Sequence, residues 1–295
     1  MNHRYIIHVG FLFLAICVNT GAQPASWTST GPGGGGAMYQ PSFSPHNATE
    51  LFVCSDMSNL FHSTNLGANW QLVHHRQYQG GNVRGAVQFT SDPLVVYGVN
   101  SAHDQAVPSK STDGGNTWKP LAKDPTGGGS YSLVTDPAST TRLLVSDYSN
   151  AHYSTDGGAS FSPVFSAGSG GSGCHIAGAF FDGANIWVGT NAGVYGSTNG
   201  GASFAVLPFS GIPASEAIVS FAGGKTGSTI RFFCVTLGVG DVYAGVTGAE
   251  HPNFKAVYTC TAANPVWTLS MNVIGAGDHP FFVACQFHPE FLSKP

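Results

Sequence analysis

The sequence predicts an all-β fold built from repeated four-stranded sheets, and three observations support this prediction. A phrase of the form Ser-Thr-Asp/Asn-x-Gly-x-x-aromatic occurs four times, with its serines at positions 63, 111, 154 and 197, which are 48, 43 and 43 residues apart. Short apolar stretches that suit β-strands flank each copy. No stretch shows a sustained 3.6-residue apolar period with capping residues. Four short strands in each unit of about 43 residues predict a β-propeller.

The repeated phrase has the composition of a tight hairpin turn. Its Asp or Asn bonds the local backbone, and its Gly reaches positive φ without steric cost. The aromatic residue that ends each copy is expected to start a strand and to pack between neighbouring blades. These four aromatic residues are Trp70, Trp118, Phe161 and Phe204.

Each unit opens with an apolar strand, turns at Pro or Asp, and continues with a second strand. The paired stretches are 42–44 with 51–54, 86–89 with 95–98, 132–134 with 143–145, 176–180 with 186–189, and 217–221 with 231–234. The fifth unit ends in a degenerate hairpin over 260–267. Residues 282–287, followed by His288-Pro289, repeat the opening of a blade. We therefore expect about five blades and the start of a sixth, truncated at the C-terminus, because an open propeller would expose an apolar blade face.

The first 22 residues have the features of an export signal. Arg4 is followed by an apolar run over 6–18 and by the small residues Thr20-Gly21-Ala22. The run is shorter than the roughly 20 residues of a membrane span, and a lipoprotein signal at Cys17 is the alternative. We expect cleavage after Ala22, a propeller domain over 23–295, and a secreted or periplasmic protein without membrane association.

Composition narrows the class of function. Charged residues make up 9% of the chain and hydrophobic residues 42%, which suits a large core and excludes a highly charged disordered segment. The net charge of −4 provides no basic face for nucleic acid. We expect no cofactor.

Cysteine and histidine patterns do not predict a metal site. The chain has no Cys-x-x-Cys motif, and the cysteines after the expected cleavage are odd in number and widely spaced. They are expected to be buried thiols, with one bridge between Cys234 and Cys260 as the alternative. His74 and His75 are expected to be solvated, because adjacent residues on a strand face opposite sides.

The repeated phrase resembles the Asp-box, or BNR repeat, of sialidases, sortilin-type receptors, plant photosystem assembly propellers and family 74 glycoside hydrolases. The N-terminal region resembles the opening of the family 74 xyloglucanases. The resemblance rests on the Gly-rich run 33–36, the strand that turns at Pro45, the segment 51–56, the hairpin ending at Trp70, and the segment 81–85 before Ser91-Asp92-Pro93. It covers about residues 25–220.

The resemblance implies two seven-bladed propellers with an open glucan cleft between them, and inverting cleavage of β-1,4-glucan backbones. Inversion needs two carboxyl groups roughly 6.5–9.5 Å apart. Asp56 matches the general base of the family, although Met57-Ser58-Asn59 replaces the x-Gly-Gly that follows it there. The partner acid would lie in a second propeller that is missing from this chain. The alternative for Asp56 is a structural role in the blade turn.

Aromatic residues near the predicted turns are candidates for sugar binding, because an aromatic ring stacks on pyranose CH groups. These candidates are Trp27, Tyr39, Tyr78, Tyr131 and Tyr148. The sequence thus predicts an exported carbohydrate-active protein, the N-terminal propeller of an inverting endo-β-1,4-glucanase or xyloglucan hydrolase, whose partner is a polysaccharide. One alternative is a non-catalytic propeller that binds a polysaccharide or a protein.

A sialidase-like exoglycosidase is the second alternative. Its chemistry needs three arginines on the sugar carboxylate and a Tyr/Glu pair as nucleophile. The mature chain has four arginines, and no Arg-Ile-Pro precedes the first hairpin. This alternative is therefore disfavoured.

Overall fold

The computed structural model describes residues 31–32, 38–55, 57–80, 87–102, 105–166, 176–241 and 254–272. Over these ranges the chain forms twenty β-strands and one short 3-10 helix. The strands are β1 (Met38–Phe43), β2 (Leu51–Ser55), β3 (Leu60–Ser63), β4 (Gln71–Leu72), β5 (Gln88–Phe89), β6 (Val96–Asn100), β7 (Val107–Ser111), β8 (Lys119–Pro120), β9 (Ser132–Thr135), β10 (Leu143–Ser146), β11 (Asn150–Ser154), β12 (Ser162–Ser166), β13 (Ile176–Asp182), β14 (Asn185–Thr190), β15 (Gly193–Ser197), β16 (Ala205–Val206), β17 (Glu216–Thr226), β18 (Thr229–Gly238), β19 (Ala256–Thr261) and β20 (Asn264–Asn272). The helix spans Val239–Asp241.

Each consecutive group of four strands forms one antiparallel sheet, in which the strands pair in chain order. We call these sheets blades 1 to 5. The first strands of successive blades contact one another: β5 touches β9, β9 touches β13, and β13 touches β17. Stacking through first strands is the arrangement of a propeller. The predicted β-propeller is confirmed, with five blades over the described residues.

Apolar side chains alternate between the two faces of each second strand. In β10, Leu143 and Val145 pack with Tyr97 of blade 2. Leu144, between them in sequence, packs with Ile186 of blade 4. Because the side-chain period of a strand is two, each blade is apolar on both faces. The core is therefore divided among the interfaces between blades.

In three of the four copies, the aromatic residue that ends the repeated phrase packs between blades, as predicted; these are Trp118, Phe161 and Phe204. Trp118 is buried in a cluster with Phe52 of blade 1. Phe204 of blade 4 lies edge-on to Tyr153 of blade 3, with ring centroids 5.7 Å apart. Each aromatic residue lies just before the fourth strand rather than within it, since β8 begins at Lys119 and β16 at Ala205.

Hydrogen bonds define two ends of each blade. In blade 2 the turn between β7 and β8 is held by a bond from the N–H of Gly114 to the carbonyl of Leu94, 3.0 Å, in the turn between β5 and β6. In blade 3 the N–H of Gly157 bonds the carbonyl of Thr141 in the same way, at 2.9 Å. We call this end, which carries the repeated phrase, the hairpin end. The opposite end, with the second-to-third-strand loops and the connections between blades, is the loop end.

Blade 5 differs from the others. Its strands β17 and β18 have 11 and 10 residues. A two-residue turn, Ala262-Ala263, replaces the repeated phrase, because Thr261 pairs with Asn264. The expected sixth-blade segment 282–287 and the expected signal 1–22 lie outside the described residues. Among the residues that the structure describes, no helix has the length and apolarity needed to cross a membrane.

Cys234 and Cys260 of blade 5 are buried free thiols, and Cys54 in blade 1 is also buried. The strand register pairs Cys234 with Tyr258 and Cys260 with Phe232, so the two thiols are diagonal neighbours. Diagonal positions are roughly 7–8 Å apart, beyond the usual Cα separation of a disulfide. Burial raises the pKa of the Cys234 thiol to about 12. The structure therefore favours thiols over the alternative of a bridge; Cys174 and Cys285 lie outside the described residues.

The two adjacent histidines are exposed, as expected, but not for the expected reason. β4 ends at Leu72, so His74 and His75 lie in a turn and not on a strand. Their rings stack with centroids 4.6 Å apart instead of facing opposite sides. Over the described ranges, no group of three or more His, Cys, Asp or Glu side chains is placed to hold a metal ion.

Candidate functional site

Two aromatic rings stack at the loop end of blade 3. Tyr131 precedes β9, and Tyr148 lies in the loop between β10 and β11. Their ring centroids are 4.3 Å apart and their planes differ by 28°. Tyr131 is buried, whereas 44% of the surface of Tyr148 is exposed. The pair therefore forms a flat aromatic platform with a buried ring behind an accessible one.

The backbone around this platform is fixed by short hydrogen bonds. The Asp147 carboxylate oxygen Oδ1 accepts the N–H groups of Ser149 and Asn150, each at 2.6 Å. The N–H of Tyr131 donates to the carbonyl of Ser146 at 2.7 Å. An Asp that bonds amides two and three residues ahead stabilises a tight loop. The platform is therefore held in place before any ligand binds.

Two carboxylates lie near the platform. Asp124, in the connection between β8 and β9, accepts the N–H groups of Thr126 at 2.9 Å and Gly128 at 2.7 Å. Burial lowers the pKa of His152, and the charges of Asp147 and Asp124 oppose that change. Asp124 and Asp147 both lie in loops at this end of the propeller, since one follows β8 and the other follows β10. The loop end of blade 3 thus combines an aromatic ring with hydrogen-bond acceptors.

The other predicted binding residues lie apart from this platform. Tyr78 is fully buried, its ring packs on Trp118 at 4.5 Å, and its hydroxyl donates to the Val99 carbonyl at 2.7 Å. Burial raises its pKa well above the usual value. The structure therefore places Tyr78 in the core, where no ring face is open to a sugar. Tyr39 pairs with Cys54 in blade 1 and is half-buried.

Asp56 and Trp27 lie outside the described residues. In sequence, Asp56 falls between β2, which ends at Ser55, and β3, which begins at Leu60. The loops between second and third strands lie at the loop end of each blade, and Met57, the next residue, is 65% exposed. Of the six predicted site residues, the structure brings together Tyr131 and Tyr148.

Sequence analysis did not identify Glu216, the first residue of β17. Its carboxylate oxygen Oε2 accepts the hydroxyl of Thr236 at 2.6 Å and the hydroxyl of Tyr258 at 3.1 Å. The only signal in the sequence is an acidic residue directly before an apolar strand. Nothing in that pattern indicates the two hydroxyl donors, which come from β18 and β19.

Tyr258 and Glu216 are the residue types of a sialidase nucleophile pair. Their environment, however, does not favour loss of the phenol proton of Tyr258. Burial, with a further effect of the Glu216 bond, raises the pKa of Tyr258 to about 12, so the phenol stays protonated. Arg142 is paired with Asp136 at 2.8 Å. It directly precedes β10 and so lies at the hairpin end, whereas Glu216 lies at the loop end. The geometry does not support the sialidase alternative.

Fold and site together define a propeller of the all-β class with an aromatic platform at its loop end. Among solved structures, an ancestral GH74 enzyme matches with a TM-score of 0.61 and 20% identity, over 84% of this chain and 33% of the enzyme. YCF48 from Cyanidioschyzon merolae matches with a TM-score of 0.46 and 14% identity, over 69% of this chain and 67% of that one. TolB from Acinetobacter baumannii gives 0.44 and 11%, over 79% and 57%. At 20% identity, the match to the ancestral GH74 enzyme shows the fold alone.

Sequence comparison adds a short match. No family model matches the chain. CTP synthases from Synechococcus sp. and Halalkalibacterium halodurans are each 60% identical to it over 25 residues, 8% of this chain and 5% of theirs. The chain thus spans about one twentieth of the length of these curated relatives. A stretch of 25 residues is shorter than one blade.

Proposed function

We propose that the chain is an exported carbohydrate-active protein, forming the N-terminal propeller of an inverting endo-β-1,4-glucanase that acts on xyloglucan. The stacked pair of Tyr131 and Tyr148 is the observation that supports the proposal best. An exposed aromatic ring stacks on the CH face of a pyranose, and nearby acceptors bind its hydroxyl groups. Asp147 and Asp124 are such acceptors.

The sequence features fit this proposal. We interpret the repeated turns as Asp-boxes and residues 1–22 as an export signal. Asp56 would be the general base that takes a proton from the attacking water, while a protonated carboxyl group donates to the departing glycosidic oxygen. That second carboxyl group would belong to a second propeller, so the chain itself supplies the base and part of the glucan-binding surface.

Binding is the property that tests the proposal with the chain as it exists. The full chain should bind xyloglucan in affinity electrophoresis and in calorimetry with xyloglucan oligosaccharides. Tyr148→Ala should weaken binding by about tenfold or more, because loss of a central aromatic contact costs on the order of 2 kcal/mol. Its melting temperature should change little, since Tyr148 is largely exposed.

Leu94→Ala is the matched control. Leu94 is 55% exposed and lies at the hairpin end, so its removal should leave binding unchanged. Equal affinity of the wild type and Tyr148→Ala would contradict the proposed platform. Binding by this chain, together with a gene that encodes no second propeller, would favour a non-catalytic propeller over a hydrolase.

A further inference from the structure

Glu216 is held as a pre-oriented carboxylate at the loop end of blade 5. It begins the first strand of the blade, β17, and is half-buried. Both donors that reach it, Thr236 and Tyr258, bond the same oxygen, Oε2. Thr236 is 0% exposed and Tyr258 5%. Two buried donors on neighbouring strands therefore fix the orientation of this side chain.

Within the described ranges, the fold uses only one of the two carboxylate oxygens of Glu216. Oε1 has no hydrogen-bond partner among the described residues, and none of their Lys, Arg or His side chains forms an ion pair with Glu216. A half-buried carboxylate without a cation is costly to desolvate. A neutral side chain could accept the same two hydroxyl groups at lower cost. The charge is therefore unexplained by the packing of blade 5.

The donors keep their role over a wide pH range. Burial raises the pKa of Tyr258 to about 12, with the Glu216 bond acting in the same direction, so its hydroxyl group stays a donor. Hydrogen bonds from buried donors behind a binding side chain hold it in its productive geometry. Glu216 thus has the support expected of a residue that contacts a ligand.

The surface beside Glu216 is suited to an amphipathic ligand. Val239, which begins the short 3-10 helix after β18, is 46% exposed. Its N–H bonds the carbonyl of Ser215 at 3.0 Å, which fixes that helix next to Glu216. An apolar side chain beside a fixed acceptor matches a sugar ring, which has a CH face and a rim of hydroxyl donors.

We propose that Glu216 binds a neutral saccharide by accepting hydroxyl hydrogens on Oε1. This contact, on blade 5, is distinct from the Tyr131–Tyr148 platform on blade 3. The inference rests on the proposed function, which supplies the ligand class. A carboxylate attracts hydroxyl donors and repels acidic sugars, so a neutral glycan fits and a polyuronate does not.

Calorimetry of the full chain with a xyloglucan oligosaccharide tests this contact. Glu216→Gln preserves size and can still accept from Thr236 and Tyr258, but it removes the charge. Affinity should fall by about tenfold, the usual effect of losing a charge-assisted hydrogen bond. Glu50→Gln is the matched control. Glu50 is likewise hydrogen-bonded, to His62 at 3.0 Å, but directly precedes β2 at the hairpin end, so affinity should not change.

The possible results separate this inference from the proposed function. If the wild type binds and Tyr148→Ala weakens binding, but Glu216→Gln binds as the wild type does, the Glu216 contact is refuted and the proposed function stands. If the wild type binds no saccharide, both fail. If Glu216→Gln does not fold, Tyr258→Phe removes one donor without removing volume, and it should weaken binding about threefold by loosening the carboxylate. Unchanged affinity in Tyr258→Phe would then count against the inference.

Discussion

The hydrogen bonds at the hairpin end of the propeller repeat from blade to blade, whereas those at the loop end vary. At the hairpin end, four blades repeat one arrangement of hydrogen bonds. A serine hydroxyl accepts the N–H of the residue four positions later, and it donates to the Asp or Asn two positions later. The distances to the N–H groups of Gly67, Gly115, Gly158 and Gly201 are 2.8, 2.9, 2.9 and 2.9 Å.

The hairpin end also sets the contact between blades. A Cβ built on Gly115 of blade 2 would lie 2.8 Å from the ring of Phe52 in blade 1. A Cβ on Gly201 of blade 4 would enter the ring of Tyr153 in blade 3. In blades 2 and 4 the repeated turn therefore closes its own hairpin and packs against the preceding blade. The repeated phrase recurs because it meets both of these structural requirements.

At the loop end, the side chain that ends the second strand bonds differently in blades 2, 3 and 4. Asn100, at the end of β6, accepts the N–H groups of Gln79 and Ala102. Thr190, at the end of β14, donates to the Gly193 carbonyl. The hydroxyl of Ser146, at the end of β10, is buried without a partner. Loops freed from a shared structural role are available for binding, and the candidate site lies there.

The largest expected effect comes from Gly201→Ala at the hairpin end. Gly201 has φ of +90° and no room for a Cβ beside Tyr153. We expect the free energy of unfolding to fall by about 3 kcal/mol, from backbone strain together with overpacking. Urea denaturation measures this change.

Gly200→Ala is the control for that substitution. Gly200 has φ of +73°, but nothing lies within 4 Å of a Cβ there. Strain alone should cost about 1 kcal/mol. Equal losses in the two variants would show that the turn does not pack tightly on blade 3.

A pair of serine substitutions in blade 3 compares the two ends directly. Ser154, at the hairpin end, accepts the N–H of Gly158 and donates to Asp156 at 2.8 Å. Ser154→Ala leaves a buried N–H unpaired and should cost about 2 kcal/mol. Ser146→Ala, at the loop end, removes a buried hydroxyl that bonds nothing, so stability should stay within about 0.5 kcal/mol or rise slightly. A larger loss for Ser146→Ala in thermal or urea unfolding would reverse the comparison.

The smallest expected effect is on the stability of the fold at acidic pH. The hydroxyl of Ser160, the backbone N–H of the same residue and then Ser154 lower the pKa of Asp156 from 3.8 to about 2. Because the pKa of this carboxyl group is lower in the folded chain than in the unfolded chain, its charge stabilises the fold at pH values above the unfolded pKa. That stabilisation is lost as the pH falls from about 4 towards 2. Asp156→Asn should therefore lose less stability than the wild type between pH 5 and about 2.

Blade 4 supports the feasibility of this substitution. Asn199 occupies the corresponding position and accepts the N–H of Ser203 at 3.0 Å, as a carboxylate would. Asp156→Asn should therefore fold normally at neutral pH. Identical acid unfolding curves for the variant and the wild type would show that this carboxylate does not contribute to the pH dependence.

The sequence by itself determined the repeat, the strand pairs and the position of each hairpin turn. These features depend on local chemistry, such as a Gly at φ near +90° in Gly115 and Gly201 or a serine two residues before Asp113. Because these requirements are local, the same residue types recur in the sequence once in each repeat. One departure, Leu66 at φ +55°, shows that the turn geometry is kept even where a glycine is missing.

Only the tertiary structure separated residues that look alike in sequence. Tyr78 and Tyr148 both lie near turns, yet one is fully enclosed beside Trp118 and the other is 44% exposed. The support of Glu216 comes from residues 20 and 42 positions away. Burial and long-range hydrogen bonds depend on how blades stack, and no local pattern records that stacking. The sequence therefore specified the scaffold, while the stacking of the blades decided which loop-end side chains can meet a ligand.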